Sequence, residues 1–168
     1  MMALDRPHEL LKPVKRRFIA LTFFLGLLVE LIPLPAGSTR WLPDLIGLVL
    51  LYWVINQPRR VGVGTAFFVG LIADVATAGL FGQHALAYSL TAYFALKRQR
   101  QLVMFTLGQQ ALAVGGLLFA NQLIMMLARL LTGSAFIGFS YFLPPVIGIL
   151  LWPLLTKLLL LPYRQHTA

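Results

Sequence analysis

Long apolar runs, separated by short connections rich in proline, glycine or basic residues, make up most of the 168-residue chain. Runs of this kind are typical of membrane-spanning helices, each of which needs about 20 mainly apolar residues. The pattern contains six of them, at residues 18–34, 41–55, 61–78, 85–96, 102–131 and 141–161. Several are shorter than a perpendicular crossing requires, so tilting or local thinning of the bilayer is expected.

The pattern predicts an all-α fold, a polytopic membrane helical bundle of about six transmembrane helices. We expect one transmembrane domain at residues 18–161, a basic cytoplasmic N-terminal tail at 1–17 and a short C-terminal tail at 162–168. Composition points the same way, since 59% of the residues are hydrophobic and only 11% are charged, against about 25% charged in soluble domains. So few polar side chains cannot cover a water-exposed surface, which excludes a soluble fold.

Basic residues predict how the helices thread the membrane. Twelve of the fourteen Lys and Arg residues fall near the two chain ends and in every second connection, and only Arg40 and Arg129 fall on the other side. Because Lys and Arg are retained in the cytoplasm, six spans with both termini cytoplasmic are expected. Four spans remain an alternative if residues 78–85 form a re-entrant hairpin. Topology and anionic lipid then account for the net charge of +9 without nucleic acid.

The third run contains a stripe of small residues that ends in a carboxylate. Gly62, Ala66, Gly70 and Asp74 follow one another at intervals of four and therefore share one helix face. Small side chains let helices approach closely in lipid, so these residues are candidates for helix packing or partner binding. Asp74 is expected to point into the bundle, either toward a ligand, proton or partner or as an anchor for the following turn.

A second candidate group is a polar cluster on the outer side, formed by Glu30, Asp44 and Arg129. Glu30 ends a stripe of small and polar residues in the first run, and Asp44 precedes the core of the second. Charges in lipid are usually paired, so Arg129 or Arg40 is expected to be the counter-ion for Glu30 and Asp74.

Catalytic chemistry has no candidates in the sequence. Cysteine is absent and the three histidines are scattered, which leaves no ligand cluster for a metal. Motifs for hydrolysis of nucleotides, esters or peptides are absent as well. We therefore predict a protein that is not an enzyme and needs no cofactor.

Residues 41–100 also carry a set of short motifs, and Trp152-Pro153 adds one near the end. The motifs are Pro43-Asp44-Leu45, Leu51-Tyr52-Trp53, Pro58-Arg59-Arg60-Val61-Gly62-Val63-Gly64-Thr65, Gly70-Leu71-Ile72-Ala73-Asp74, Gly79, Gly82 and Ala92-Tyr93. Together they resemble the rod shape-determining protein MreD family.

The resemblance implies a scaffold in the bacterial inner membrane, without catalysis. It implies association with the bitopic membrane protein MreC and, through it, with the MreB filament, RodA and a penicillin-binding-protein synthase of lateral peptidoglycan. It also implies a fold similar to the substrate-binding subunits of energy-coupling-factor transporters, which have a cavity on the outer side. The acidic residues Glu30, Asp44 and Asp74 favour one alternative, a transport subunit that binds a small molecule or a lipid headgroup.

Overall fold

The computed structural model describes residues 14–32, 42–135 and 138–164. Within these ranges all regular secondary structure is helical, which confirms the predicted all-α class. The elements are α1 (Arg16–Glu30), α2 (Leu45–Asn56), α3 (Val63–Ala76), α4 (Gln83–Lys97), α5 (Gln99–Met104), α6 (Leu107–Leu131), a 3₁₀ turn (Phe139–Phe142) and α7 (Leu143–Arg164).

Two helical segments of the described ranges are long and apolar enough to cross a membrane, namely Leu107–Leu131 and Phe139–Leu160. The shorter helices α2 and α3 are apolar too. With 14 residues, α3 is about 21 Å long, which is less than the roughly 30 Å of a bilayer's hydrocarbon core. The composition and length of these helices fit insertion into a membrane.

Helix α2 forms the centre of the bundle. Every residue from Ile46 to Ile55 is buried, and α1, α4, α5, α6 and α7 all contact the helix. A helix that is apolar on all sides is expected to be buried by neighbouring helices on all sides. Its aromatic residues fix the neighbours, since the Trp53 ring packs edge-on against Phe18 of α1 and the Tyr52 ring contacts Trp152 of α7.

Helices α3 and α4 form a tightly packed antiparallel hairpin. A Cβ atom at Gly70 would lie 2.5 Å from the backbone N of Ala85, so only glycine permits this approach of the two backbones. The turn ends at Gly82, whose φ of +94° lies in the left-handed region that favours glycine. Gly70 in the middle of α3 therefore packs directly against the backbone at the start of α4.

The fifth apolar run, residues 102–131, is not one helix. Helix α5 ends at Met104 and α6 begins at Leu107. Thr106 forms a capping box with Gln109, in which each side chain accepts a hydrogen bond from the other residue's backbone N–H. The pattern Thr-x-x-Gln before an apolar run is a signal for a helix start, so the sequence does contain the break.

The predicted tails are only partly described. Helix α1 starts at Arg16 and α7 extends to Arg164, and Val14 is buried just before α1. The predicted counter-ion Arg40 lies outside the described residues, as do residues 1–13.

Candidate functional site

Polar residues converge at one end of the bundle, where α1, α3 and α6 end and α2, α4 and α7 begin. They surround a cavity of about 520 Å³, called the polar cavity below. Its wall includes all three members of the predicted polar cluster, Glu30, Asp44 and Arg129, together with His84 and Tyr141.

Asp74 lies beside this cavity and caps α4. Its side chain is 1% exposed and accepts hydrogen bonds from the backbone N–H groups of Gly82 (2.8 Å), His84 (2.9 Å) and Ala85 (3.3 Å). The first N–H groups of a helix lack intrahelical partners, and a negative charge there is favoured by the helix dipole. The carboxylate of α3 therefore holds the start of α4 in place.

The predicted stripe on α3 divides into two parts. Ala66 is fully buried and Gly70 packs against the backbone of α4. Gly62 precedes α3 and has open space around it. The inner part of the stripe contacts α4 of the same chain, and a partner-binding role for these residues stays a prediction.

Asp44 joins three helices. It is the N-cap of α2, where Oδ1 accepts a hydrogen bond from the backbone N–H of Gly47 at 2.6 Å. The same oxygen accepts a hydrogen bond from the Tyr88 hydroxyl of α4 at 2.7 Å, and Oδ2 accepts one from Asn121 Nδ2 of α6 at 3.1 Å. These bonds fix the carboxylate in the wall of the polar cavity.

Glu30 ends a polar stripe through which α1 contacts α2. Its Oε1 accepts a hydrogen bond from the backbone N–H of Ile46 at 3.2 Å. Eight residues earlier, Thr22 Oγ1 accepts a hydrogen bond from the indole Nε1 of Trp53 at 2.9 Å. Gly26, between them, lies against Ile46. The stripe therefore places the Glu30 carboxyl group next to Asp44 in the cavity wall.

The expected pairing of Arg129 with a carboxylate is wrong for the part of the chain that the structure describes. Arg129 Nε donates to Gln83 Oε1 at 2.9 Å, and its guanidinium lies 5.6 Å from the centroid of the Tyr141 ring. The side chain facing Asp74 is His84, whose Nδ1 is 2.8 Å from Oδ1. Gln83 precedes His84 in the first turn of α4, so α4 separates Arg129 from Asp74.

His84 is the residue that sequence reasoning missed. Its position could have indicated the contact with Asp74, because His84 lies two residues after Gly82, directly behind the turn that Asp74 was expected to anchor. No cluster of three or more metal-binding side chains is found among the described residues.

A second concave surface lies between α1 and α3, and we call it the α1/α3 groove. It has a volume of about 450 Å³ and an almost wholly apolar lining that includes Phe24 and Ile72. Arg16 and Arg60 line it at the end opposite the polar cavity. The bundle thus has a polar cavity at one end and, along its side, an apolar groove with arginines at the other end.

Comparison with known proteins gives one consistent result. The family model described as rod shape-determining protein MreD matches residues 14–161. The Rod shape-determining protein MreD of Haemophilus influenzae is 34% identical over 137 residues, which cover 81% of this chain and 85% of that protein. No solved structure matches the chain.

Proposed function

The chain belongs to the rod shape-determining protein MreD family, and we propose that it is a non-enzymatic scaffold of the cell-elongation complex in the bacterial inner membrane. Family membership supports a role in rod shape determination. In the proposed role the chain binds an MreC-like bitopic partner and helps to position lateral peptidoglycan synthesis. The MreB filament, RodA and a penicillin-binding-protein synthase are then indirect partners.

In this proposal α1, α2, α3, α4, α6 and α7 are the six spans and both termini are cytoplasmic. The basic residues support it, because Arg16 starts α1, Arg60 precedes α3 and Lys97 ends α4. These helix ends all lie opposite the polar cavity, and basic residues favour the cytoplasmic side. The short α5, with Arg98 directly before it, would then lie at the cytoplasmic surface.

The observation that supports partner binding most directly is the α1/α3 groove. Ala20 in its lining allows close approach of a helix backbone, and van der Waals packing drives helix association in lipid. The two arginines at its cytoplasmic end can pair with acidic residues that flank a partner helix. We therefore assign the α1/α3 groove to the transmembrane helix of the MreC-like partner.

Cysteine cross-linking tests this assignment, because the natural chain contains no cysteine. Phe24→Cys and Ile72→Cys place a thiol in the groove at side chains that are 55% and 56% exposed. Val146→Cys on α7, at a side chain that is also 55% exposed, is the matched control. Groove thiols should cross-link to cysteines in the partner's membrane helix several-fold more than the control does. Equal or stronger cross-linking at residue 146 would contradict the assignment.

Depletion in a rod-shaped host separates the scaffold from the transport alternative. Loss of the chain should make cells round and should abolish co-purification of the partner with the complex. Normal cell shape combined with a defect in nutrient uptake would instead support a transport subunit that uses the polar cavity.

A further inference from the structure

The polar cavity contains groups of opposite charge that do not pair with one another. Glu30 and Asp44 contribute two carboxyl groups from α1 and α2, and Arg129 contributes a guanidinium from α6. Within the described ranges the structure contains no ion pair between Arg129 and either acid, and Asp74 contacts the ring Nδ1 of His84 instead. Opposite charges in a region of low dielectric attract strongly, so their separation needs an explanation.

Each charged group is held in position by the chain itself. Asp44 accepts three hydrogen bonds from three different elements, and Glu30 accepts one from the N-terminal turn of α2. Arg129 is fixed through Nε by Gln83 and through its planar face by the Tyr141 ring. Neither terminal guanidinium nitrogen of Arg129 forms a hydrogen bond within the described residues. Among the residues that the structure describes, the cavity is therefore a preorganised site in which the forked donors of Arg129 remain available.

We propose that the polar cavity binds a zwitterion, a ligand that carries an ammonium group together with a phosphate or carboxylate group. The ammonium group binds between Glu30 and Asp44, and the anionic group accepts hydrogen bonds from the terminal nitrogens of Arg129. Arginine presents two parallel donors that match the oxygens of phosphate and carboxylate. Such a ligand bridges the charges that the chain keeps apart.

Size and selectivity agree with a ligand of this class. A volume of about 520 Å³ lies within the range of roughly 300–1,000 Å³ that is usual for small-molecule sites. A simple anion would be repelled by the acidic pair, and a simple cation would be repelled by Arg129. Only a ligand that carries both charges is attracted by both groups. This inference does not depend on the scaffold role, because the polar cavity and the α1/α3 groove share no lining residue.

Binding to the purified full-length protein in detergent tests the proposal. The probes are glycerophosphoethanolamine, which carries both charges, glycerol 3-phosphate, which carries only the anion, and ethanolamine, which carries only the cation. We expect the zwitterion to raise the unfolding temperature in a saturable way and to bind about tenfold or more tightly than either single-charge probe. Equal binding of the three probes, or none, would overturn the proposal.

Variants separate ligand binding from folding. Glu30→Gln replaces the carboxyl group with an amide that keeps a side-chain oxygen for the Ile46 N–H, and Arg129→Lys keeps the charge but loses the fork. Each should weaken zwitterion binding about tenfold, with a small change in unfolding temperature without ligand. Lys157→Gln, at an exposed residue near the other end of α7, should bind like the natural chain. Unchanged affinity in both cavity variants would overturn the assignment of these residues.

The same zwitterion can come from a phospholipid headgroup or from a soluble metabolite. Native mass spectrometry distinguishes the two sources, with the protein extracted from vesicles that contain equal amounts of phosphatidylethanolamine and phosphatidylglycerol. Retention of phosphatidylethanolamine that depends on Glu30 and Arg129 supports the site and identifies the lipid. Saturable binding of only the soluble probe supports the site with a soluble ligand. Failure of both measurements contradicts the site without affecting the scaffold proposal, which the cross-linking experiment tests.

Discussion

Two nitrogen atoms of His84 converge on one carboxylate oxygen of Asp74. The backbone N of His84 lies 2.9 Å from Oδ1 and its ring Nδ1 lies 2.8 Å from the same oxygen. These contacts join the last turn of α3 to the first turn of α4 at the rim of the polar cavity. Asp74 therefore acts as a cap supplied by the preceding helix, and α4 needs no capping side chain of its own.

Substitutions at Asp74 should follow the number of hydrogen bonds lost. Asp74→Leu removes every acceptor for Gly82, His84 and Ala85, and each buried donor left unpaired costs about 1–3 kcal/mol. Asp74→Asn keeps one oxygen and should be intermediate. Thermal unfolding in detergent should give the order Asp, Asn, Leu from most to least stable. Equal stability of the three proteins would remove the capping role.

A methyl group at residue 70 should separate the α3/α4 hairpin. Gly70→Ala places a Cβ in contact with the backbone of Ala85, which cannot move independently, so a loss of about 1–3 kcal/mol is expected. Gly64→Ala is the matched control on the same helix, because nothing lies within 4 Å of its Cβ. The control should be neutral or stabilising by up to about 1 kcal/mol, since alanine favours helix more than glycine does. Comparable losses in both variants would show that α4 packing is not the cause.

Spacing along single helices was predictable, whereas contacts between distant residues were not. Intervals of four placed Ala66, Gly70 and Asp74 on one face of α3, because that face follows from helix geometry alone. The partner of Asp74 depends on where the turn at residues 77–82 returns the chain, so the contact with His84 could not be read from spacing.

For Arg129, too, the sequence did not predict the hydrogen-bond partner. The sequence indicates correctly that it lies near the acidic residues, since it joins Glu30 and Asp44 in the cavity wall. Its hydrogen bond goes to the neutral side chain of Gln83, because the first turn of α4 lies between Arg129 and Asp74. A rule that pairs opposite charges gives the neighbourhood of a residue but not its hydrogen-bond partner.

The contact between Thr22 and Trp53 should stabilise the α1 side of the groove. Thr22→Val preserves the shape of the side chain but leaves the indole N–H of the fully buried Trp53 without its acceptor. A loss of about 1–3 kcal/mol is expected, together with weaker cross-linking from residue 24 to the partner. Thr22→Ser keeps the hydroxyl and should retain both properties. A valine variant with unchanged unfolding and cross-linking would contradict this role.

The turn between α3 and α4 decides between six spans and four. Phe81 in this turn is 70% exposed, and Arg60 precedes α3 at the opposite end of the helix. If α3 and α4 both cross the membrane, a thiol at Phe81→Cys reacts with a membrane-impermeant maleimide in intact spheroplasts. A thiol at Arg60→Cys then reacts only after the membrane is opened. If the hairpin is re-entrant, residue 81 lies within the bilayer and stays unlabelled in both cases.

We expect labelling of residue 81 from outside, in spite of the short length of α3. A helix of 14 residues spans only about 21 Å, but a bilayer thins around a short helix at a cost of fractions of a kcal/mol per Å. Protection of residue 81 in opened membranes would place the cavity inside the bilayer.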